Sequence, residues 1–312
     1  MPIDSQIKHL VDYYYSLELP EYNSSTCVEK ERARMKFFIQ KASKELSPNV
    51  EEIEDHIYDT DYGQVKVRSY SPKKSSFKKP LIYFRGSGFV IDNFDDADLM
   101  CSKLASHCET TVISIDYPLA PENAFPIPAE ACYQTILKIV SDAHVFGIDS
   151  KGFVLIGESS GACLAAIVCQ MLRDRNGPKM GLQVLIYPVT DNDFNTDSYR
   201  VMGNGNILSE AKMRWYLSQY LKKEEDGQKL YAFPMNAKDF SHLPRALIIT
   251  AGHDPLCDEG KKYADKLKEA GVPTEYICYN DFIHGFLKFN GITNVEKAFV
   301  EIVKKVKDFL KS

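Results

Sequence analysis

Several things are scarce in this chain. It holds one tryptophan in 312 residues, and no C-x-x-C pair occurs. No apolar run approaches the ~20 residues that cross a bilayer. Positive charge is not in surplus either: 38 Lys and Arg face 43 Asp and Glu, for a formal net charge of -5 and a pI near 5.9. That balance argues against a nucleic-acid partner or an anionic membrane surface. The eight cysteines (Cys27, Cys101, Cys108, Cys132, Cys163, Cys169, Cys257 and Cys278) lie mostly inside apolar runs. They are expected to be buried, reduced thiols in a reducing compartment. The opening Met1-Pro2-Ile3-Asp4-Ser5-Gln6 has no basic or apolar leader character, so a cytoplasmic protein is expected.

What is present is the texture of a globular α/β protein, with 44% apolar and 26% charged residues. Near the start, Leu10, Val11, Tyr14 and Leu17 recur at helical spacing, followed by Met35, Phe38 and Ile39, and Pro48 closes the region. Val65, Val67 and Ser69-Tyr70 alternate as antiparallel strands do. From residue 80 onward come short, almost wholly apolar runs at 81–84, 112–115, 153–156, 182–186 and 246–249. Strands buried on both faces have this composition. Helix-period segments such as 131–140 and 261–270 separate most of them, which predicts a mostly parallel, doubly wound sheet. A last helix is predicted over about 295–310, with Phe299, Ile302, Val303, Val306 and Leu310 on one face. One connection is too long: about 55 residues separate Val189 from Arg245, where α/β loops usually take about 2–6. It carries the turn Gly203-Asn204-Gly205-Asn206 and a helix with Met213, Trp215, Tyr216 and Tyr220. An insertion at the carboxyl edge of a parallel sheet sits where ligands bind, so it reads as part of a lid.

The segment Gly157-Glu158-Ser159-Ser160-Gly161 follows the strand 153–156 and precedes the helix-forming run 162–169. This is a G-x-S-x-G pattern in a strand–turn–helix context. The turn is tight enough that the residues flanking the serine must be glycine. Acyl transfer by serine also needs a base, a group that orients the base, and donors for an oxyanion. Asp254 lies just past the strand 246–249, and Asp258 and Glu259 would begin the next helix. Of seven histidines, His9 falls in the N-terminal helix and His56 before the edge strands. His107 and His144 lie in or near helices, and His242 and His253 flank a strand. Only His284 follows the last strand, after the run Tyr276-Ile277-Cys278-Tyr279. The order Ser159, Asp254, His284 is that of α/β hydrolases. Arg85-Gly86-Ser87-Gly88, straight after the strand 81–84, is the candidate oxyanion loop, with the N–H of Ser160 as a further donor.

These blocks resemble the hormone-sensitive-lipase-type carboxylesterases, the bacterial group that includes acetyl esterases and arylacetamide-deacetylase relatives. Asp116-Tyr117-Pro118-Leu119-Ala120-Pro121-Glu122 with Phe125-Pro126 is similar to the family's D-Y-x-L-A-P-E…F-P block. Asp254-Pro255-Leu256-Cys257-Asp258-Glu259-Gly260 is similar to D-P-L-x-D-E-G, and Ile283-His284-Gly285-Phe286 to x-H-G-F. The resemblance implies an α/β-hydrolase fold with a mostly parallel sheet of about eight strands flanked by helices. It implies a single domain over 1–312, with a helical cap from about 1–48 and 192–240 and a core of about 49–191 and 241–312. Arg85 and Ser87 depart from the family's H-G-G-G loop, Glu158 replaces an aspartate and Ala162 a glycine.

The expected activity is hydrolysis of short-to-medium acyl esters through an acyl-enzyme. Ser159 is the nucleophile, His284 the base and Asp254 its orienter, with Gly86, Ser87 and Ser160 holding the oxyanion. No metal and no organic cofactor is expected. Arg85, Gly88, Phe89 and Trp215 are the candidate substrate contacts, with Arg85 either paired to a nearby carboxylate or drawing an acidic substrate. The expected partner is a small-molecule ester, and the chain is a monomer or homodimer. Two alternatives stay open: an amide or peptide hydrolase on the same triad, and a weakly active ligand-binding protein.

Overall fold

Every apolar run read as a strand takes its place in one sheet. The computed structural model describes residues 1–16, 22–23, 25–42, 49–204 and 207–312. Leu17, Pro48, Gly205 and Asn206 lie outside the described residues, as do the side chains of Tyr15, Phe38 and Ile39. Two helices come first, α1 (Ser5–Ser16) and α2 (Val28–Ala42), then the hairpin β1 (Val50–Thr60) and β2 (Gly63–Pro72). His56 sits inside β1 rather than before it, because the edge strand starts at Val50. The α/β alternation follows: β3 (Leu81–Phe84), α3 (Asp98–Cys108), β4 (Val112–Asp116), α4 (Ile127–Ser141), β5 (Val154–Glu158), α5 (Ser160–Asp174) and β6 (Leu182–Ile186). The long connection carries α6 (Asp197–Met202) and α7 (Glu210–Tyr220). Then come β7 (Arg245–His253), α8 (Cys257–Glu269), β8 (Thr274–Ile283) and α9 (Thr293–Leu310).

The eight strands run in the order β1-β2-β4-β3-β5-β6-β7-β8, antiparallel at β1–β2–β4 and parallel from β4 to β8. Alternate side chains feed two cores. Ile82, Phe84 and Leu155 join α4, α5 and α8 on one face, and Leu81, Tyr83, Val154 and Ile156 join α3 and α9 on the other. Burial on both faces explains why β3, β5 and β6 carry almost no polar residues. β5, at the centre, delivers its carboxyl end into the turn before α5. β7 and β8 end beside it, with a register shift between Ala251 and His253. Among the described residues, no helix is long and apolar enough to cross a membrane. All eight cysteines are free thiols. Five are buried, but Cys27 is exposed and Cys257 and Cys278 are half-buried, so the expectation of burial holds only in part.

Candidate active site

The turn between β5 and α5 is governed by two close approaches. A Cβ on Gly157 would lie 2.5 Å from the carbonyl oxygen of Gly161, and one on Gly161 would lie 2.2 Å from that of Phe84. Only glycine fits at either place. Between them Ser159 takes φ 52° and ψ -120°, outside the regions open to most side chains, which lifts its hydroxyl off the sheet edge. Its backbone is tied down by a hydrogen bond from Ser159 N–H to the Ile186 carbonyl (2.9 Å).

The strand-end loops bring the other two groups to this serine. His284 Nε2 lies 3.0 Å from Ser159 Oγ, and His284 Nδ1 lies 2.8 Å from Asp254 Oδ2. Asp254 is fully buried, and its other oxygen accepts from Leu256 N–H at 2.9 Å. A carboxylate with no lone pair facing water fixes the tautomer: Nδ1 carries the proton, and Nε2 accepts from the serine hydroxyl. Asp258 and Glu259 serve the scaffold instead. Asp258 accepts from Ser198 N–H (2.8 Å) and Glu259 from Thr190 N–H (2.7 Å), tying α8 to the insertion and to the segment after β6.

Sequence reasoning missed what surrounds this triad. Glu158, beside the serine, is buried, and its carboxylate accepts hydrogen bonds from Tyr83 Oη and from Tyr187 Oη, the latter at 2.6 Å. Burial and the adjacent Glu158 push both phenols well above their ordinary range, so they stay donors. The Tyr187 ring also lies against the His284 imidazole, with centroids 4.9 Å apart. A clamp made from three separate strand ends leaves no local pattern, and the bare Glu-for-Asp change was its only trace.

The loop after β3 departs from expectation in an instructive way. Arg85 is buried and turned away from the serine. It pairs with Asp116 at 3.0 Å, donates from Nε to Asn93 Oδ1 (3.1 Å), and lies over the Tyr117 ring at 4.5 Å. Of the two roles open to it, the carboxylate partner is the one seen, and Arg85 is not among the residues lining the cavity over Ser159. The Gly86 carbonyl accepts from Asn93 Nδ2 (3.0 Å) and Lys288 Nζ (3.1 Å). That fixes the Gly86–Ser87 peptide with its N–H pointing the other way, toward the elbow. There the Ser87 N–H meets Ser160 Oγ at 3.0 Å, so it has an acceptor already. Ser87 Oγ and Tyr117 Oη share a hydrogen bond of 2.7 Å, and Tyr117 Oη also reaches the Arg85 carbonyl at 2.7 Å. Ser87 needs no left-handed backbone. The positive φ angles fall on Gly88 (57°) and Phe89 (66°), and a Cβ on Gly88 would strike the Tyr216 ring at 2.7 Å. The N–H groups of Gly88 and Ser160 have no protein acceptor among the described residues. Ser160 opens the 15-residue helix α5, whose first N–H groups carry partial positive charge.

Above the serine lies a cavity of about 490 Å³. Ser159 and His284 form part of its floor, and Gly88 and Phe89 also line it. Its roof is Leu10, Tyr13, Tyr14 and Met35 from α1 and α2 with Met213 and Tyr216 from α7. Trp215 is not among its lining residues. It is buried behind the wall, its indole N–H donating to the Thr26 carbonyl at 3.2 Å, because it lies on the face of α7 turned toward the chain before α2. Among the described residues, no group of His, Cys, Asp and Glu has the geometry of a metal site.

Comparison with known proteins places the fold. A family model described as alpha/beta hydrolase fold matches residues 81–288. The arylesterase of Saccharolobus solfataricus is 31% identical over 288 residues, covering 92% of this chain and 93% of that protein. A carboxylesterase of Mycobacterium tuberculosis, NlhH, is 30% identical over 292 residues, covering 92% and 89%. Among solved structures, the hyperthermophilic esterase of Pyrobaculum calidifontis superposes with a TM-score of 0.91 at 31% identity, covering 100% of both chains. An ester hydrolase from the Lake Arreo metagenome gives 0.93 at 32% identity, covering 99% of this chain and 100% of that one.

Proposed function

The chain belongs to the alpha/beta hydrolase family, in its hormone-sensitive-lipase-type branch, and on that footing we propose that it is a serine carboxylesterase acting on short-to-medium acyl esters of small molecules. One observation carries the reading: a strained serine at a strand–helix turn, 3.0 Å from a histidine that a buried aspartate orients. Ser159 Oγ attacks the ester carbonyl as His284 Nε2 takes its proton, and Asp254 stabilises the imidazolium. The oxyanion settles against the N–H groups of Gly88 and Ser160. The Ser87 N–H adds a third donor when it exchanges Ser160 Oγ for the oxyanion, and one such donor is worth about 3–4 kcal/mol. Gly86 acts through its carbonyl, which Asn93 and Lys288 hold so that the Ser87 N–H faces the elbow. His284 then protonates the leaving alkoxide, and water, activated by the same imidazole, releases the acid. Helices α1, α2 and α7 act as a cap whose largely apolar inner face suits short-to-medium acyl chains. The free thiols suit a cytoplasmic setting.

Ser159→Ala tests the reading. Turnover of p-nitrophenyl acetate is expected to fall roughly 10⁵–10⁶-fold with the fold retained. A variant that keeps full activity rules the mechanism out. In a series of p-nitrophenyl esters, the highest kcat/KM is expected at short-to-medium chains. A maximum at long chains with activation at lipid interfaces would contradict the size assignment.

A further inference from the structure

The cavity over Ser159 has a sign opposite to that of the whole chain. The protein carries a net charge of -5, yet the described residues lining the cavity include Lys212 and Lys288 and no aspartate or glutamate. Lys288 stands at the rim with its ammonium on the Gly86 carbonyl. Lys212 is different. It sits on α7 among the roof residues, and only 3% of it is exposed. A lysine buried so far normally has a carboxylate in contact, because an unpaired buried charge is costly. None lies within ion-pairing distance among the described residues. Among the described residues the acidic influence on it is Glu31, whose carboxylate is engaged by Arg34 Nε at 2.7 Å and by Tyr22 Oη. Around the Lys212 ammonium stand the rings of Tyr22, Tyr14 and Tyr216, at 5.3, 5.9 and 6.0 Å. Aromatic faces hold a cation in place but do not neutralise it. Burial pulls the ammonium below the ordinary lysine range, with Glu31 opposing that shift.

We infer that the substrate carries a carboxylate as well as the ester, and that Lys212 binds it; the inference rests on the serine-esterase reading and names its substrate class. An arriving carboxylate gives the lysine a charge-assisted partner that no described residue supplies. The reaction stays an ordinary hydrolysis. The acyl C–O bond breaks, water supplies hydroxyl to the acyl carbon and hydrogen to the alkoxide, and the products are a dicarboxylate, an alcohol and one proton. Such half-esters arise where one acid group of a dicarboxylic acid is esterified, and that is the class of reaction that must supply this enzyme.

Monoethyl succinate and its uncharged isostere ethyl 4-oxopentanoate make the test, each followed by product formation with the full chain. Wild-type kcat/KM is expected to favour the half-ester about tenfold or more, the discrimination a charge-assisted hydrogen bond of about 1.5–3 kcal/mol supports. Lys212→Met is expected to bring the ratio to about one, and Lys212→Arg to restore most of it. Ser159 labelling by a fluorophosphonate certifies that each variant is folded. A wild type that turns over the neutral ester as well as or better than the half-ester overturns the inference without touching the esterase reading, and this arm needs no variant. A preference that survives in labelled Lys212→Met overturns it too. A folded wild type that neither labels nor turns over either ester overturns both.

Discussion

Two turns face each other across the reacting serine, and they solve the same problem by opposite means. Each follows a buried strand and must hold backbone close to the substrate. The elbow at 157–161 does so by removing side chains: glycines stand where a Cβ would meet a carbonyl oxygen at 2.2–2.5 Å. The loop at 85–89 keeps one such glycine, Gly88 beneath the Tyr216 ring, but relies chiefly on added side chains. Arg85 reaches Asp116, Asn93 and Lys288 hold the Gly86 carbonyl, and the hydroxyls of Ser87, Tyr117 and Ser160 interlock with the loop backbone. The elbow's geometry is therefore enforced by sterics, and Gly157 and Gly161 tolerate no side chain. The loop is enforced by a network of polar contacts, each of modest strength, so losses there are partial.

Substitutions on either side sharpen this contrast. The largest effect belongs to the group that serves the elbow: Asp254→Asn should leave the fold intact and lower kcat about 10⁴-fold, since the amide no longer selects the right imidazole tautomer. A decrease under tenfold in steady-state turnover would show that Asp254 does not orient His284. Next comes the elbow itself. Gly161→Ala should cost ~4 kcal/mol or more of stability, as its methyl would overlap the Phe84 carbonyl. A near-wild-type urea midpoint would mean that the turn is looser than described. The smallest effect falls on the hydrogen bond by which the elbow's Ser160 hydroxyl holds the loop. Ser160→Ala removes the acceptor of the Ser87 N–H and should cost about 1–2 kcal/mol, with kcat within about tenfold of wild type. A collapse of activity as severe as that of Asp254→Asn would erase the distinction between the two turns.

The same contrast explains what was legible in the sequence. The elbow is written in five consecutive residues, because steric exclusion of side chains is a local demand. Asp254 and His284 could be picked out because the ends of parallel strands face one way, and the apolar runs of β7 and β8 mark those ends. The loop was legible only in place. Apart from Asn93, its working parts come from far along the chain, Tyr117 30 residues and Lys288 202 residues away, and hydrogen bonds of that span leave no periodicity to read. Arg85 keeps two readings in the sequence for this reason. A charged residue beside a site suggests a ligand, and only tertiary placement reveals that Asp116 takes it inward. Trp215 failed, since α7 is apolar on more than one face and its sequence does not say which face meets the cavity. Lys212 is one of three charged residues in the same helix, with Glu210 and Arg214, and only the tertiary structure singles it out by burial.

The central claim is that Ser159, His284 and Asp254 act as one unit. Incubating the folded chain with a fluorophosphonate and locating the adduct by peptide mass spectrometry tests it directly. One adduct, on Ser159, lost when His284 becomes alanine, is the predicted result. A folded protein that stays unlabelled, or one labelled at another serine, would contradict it.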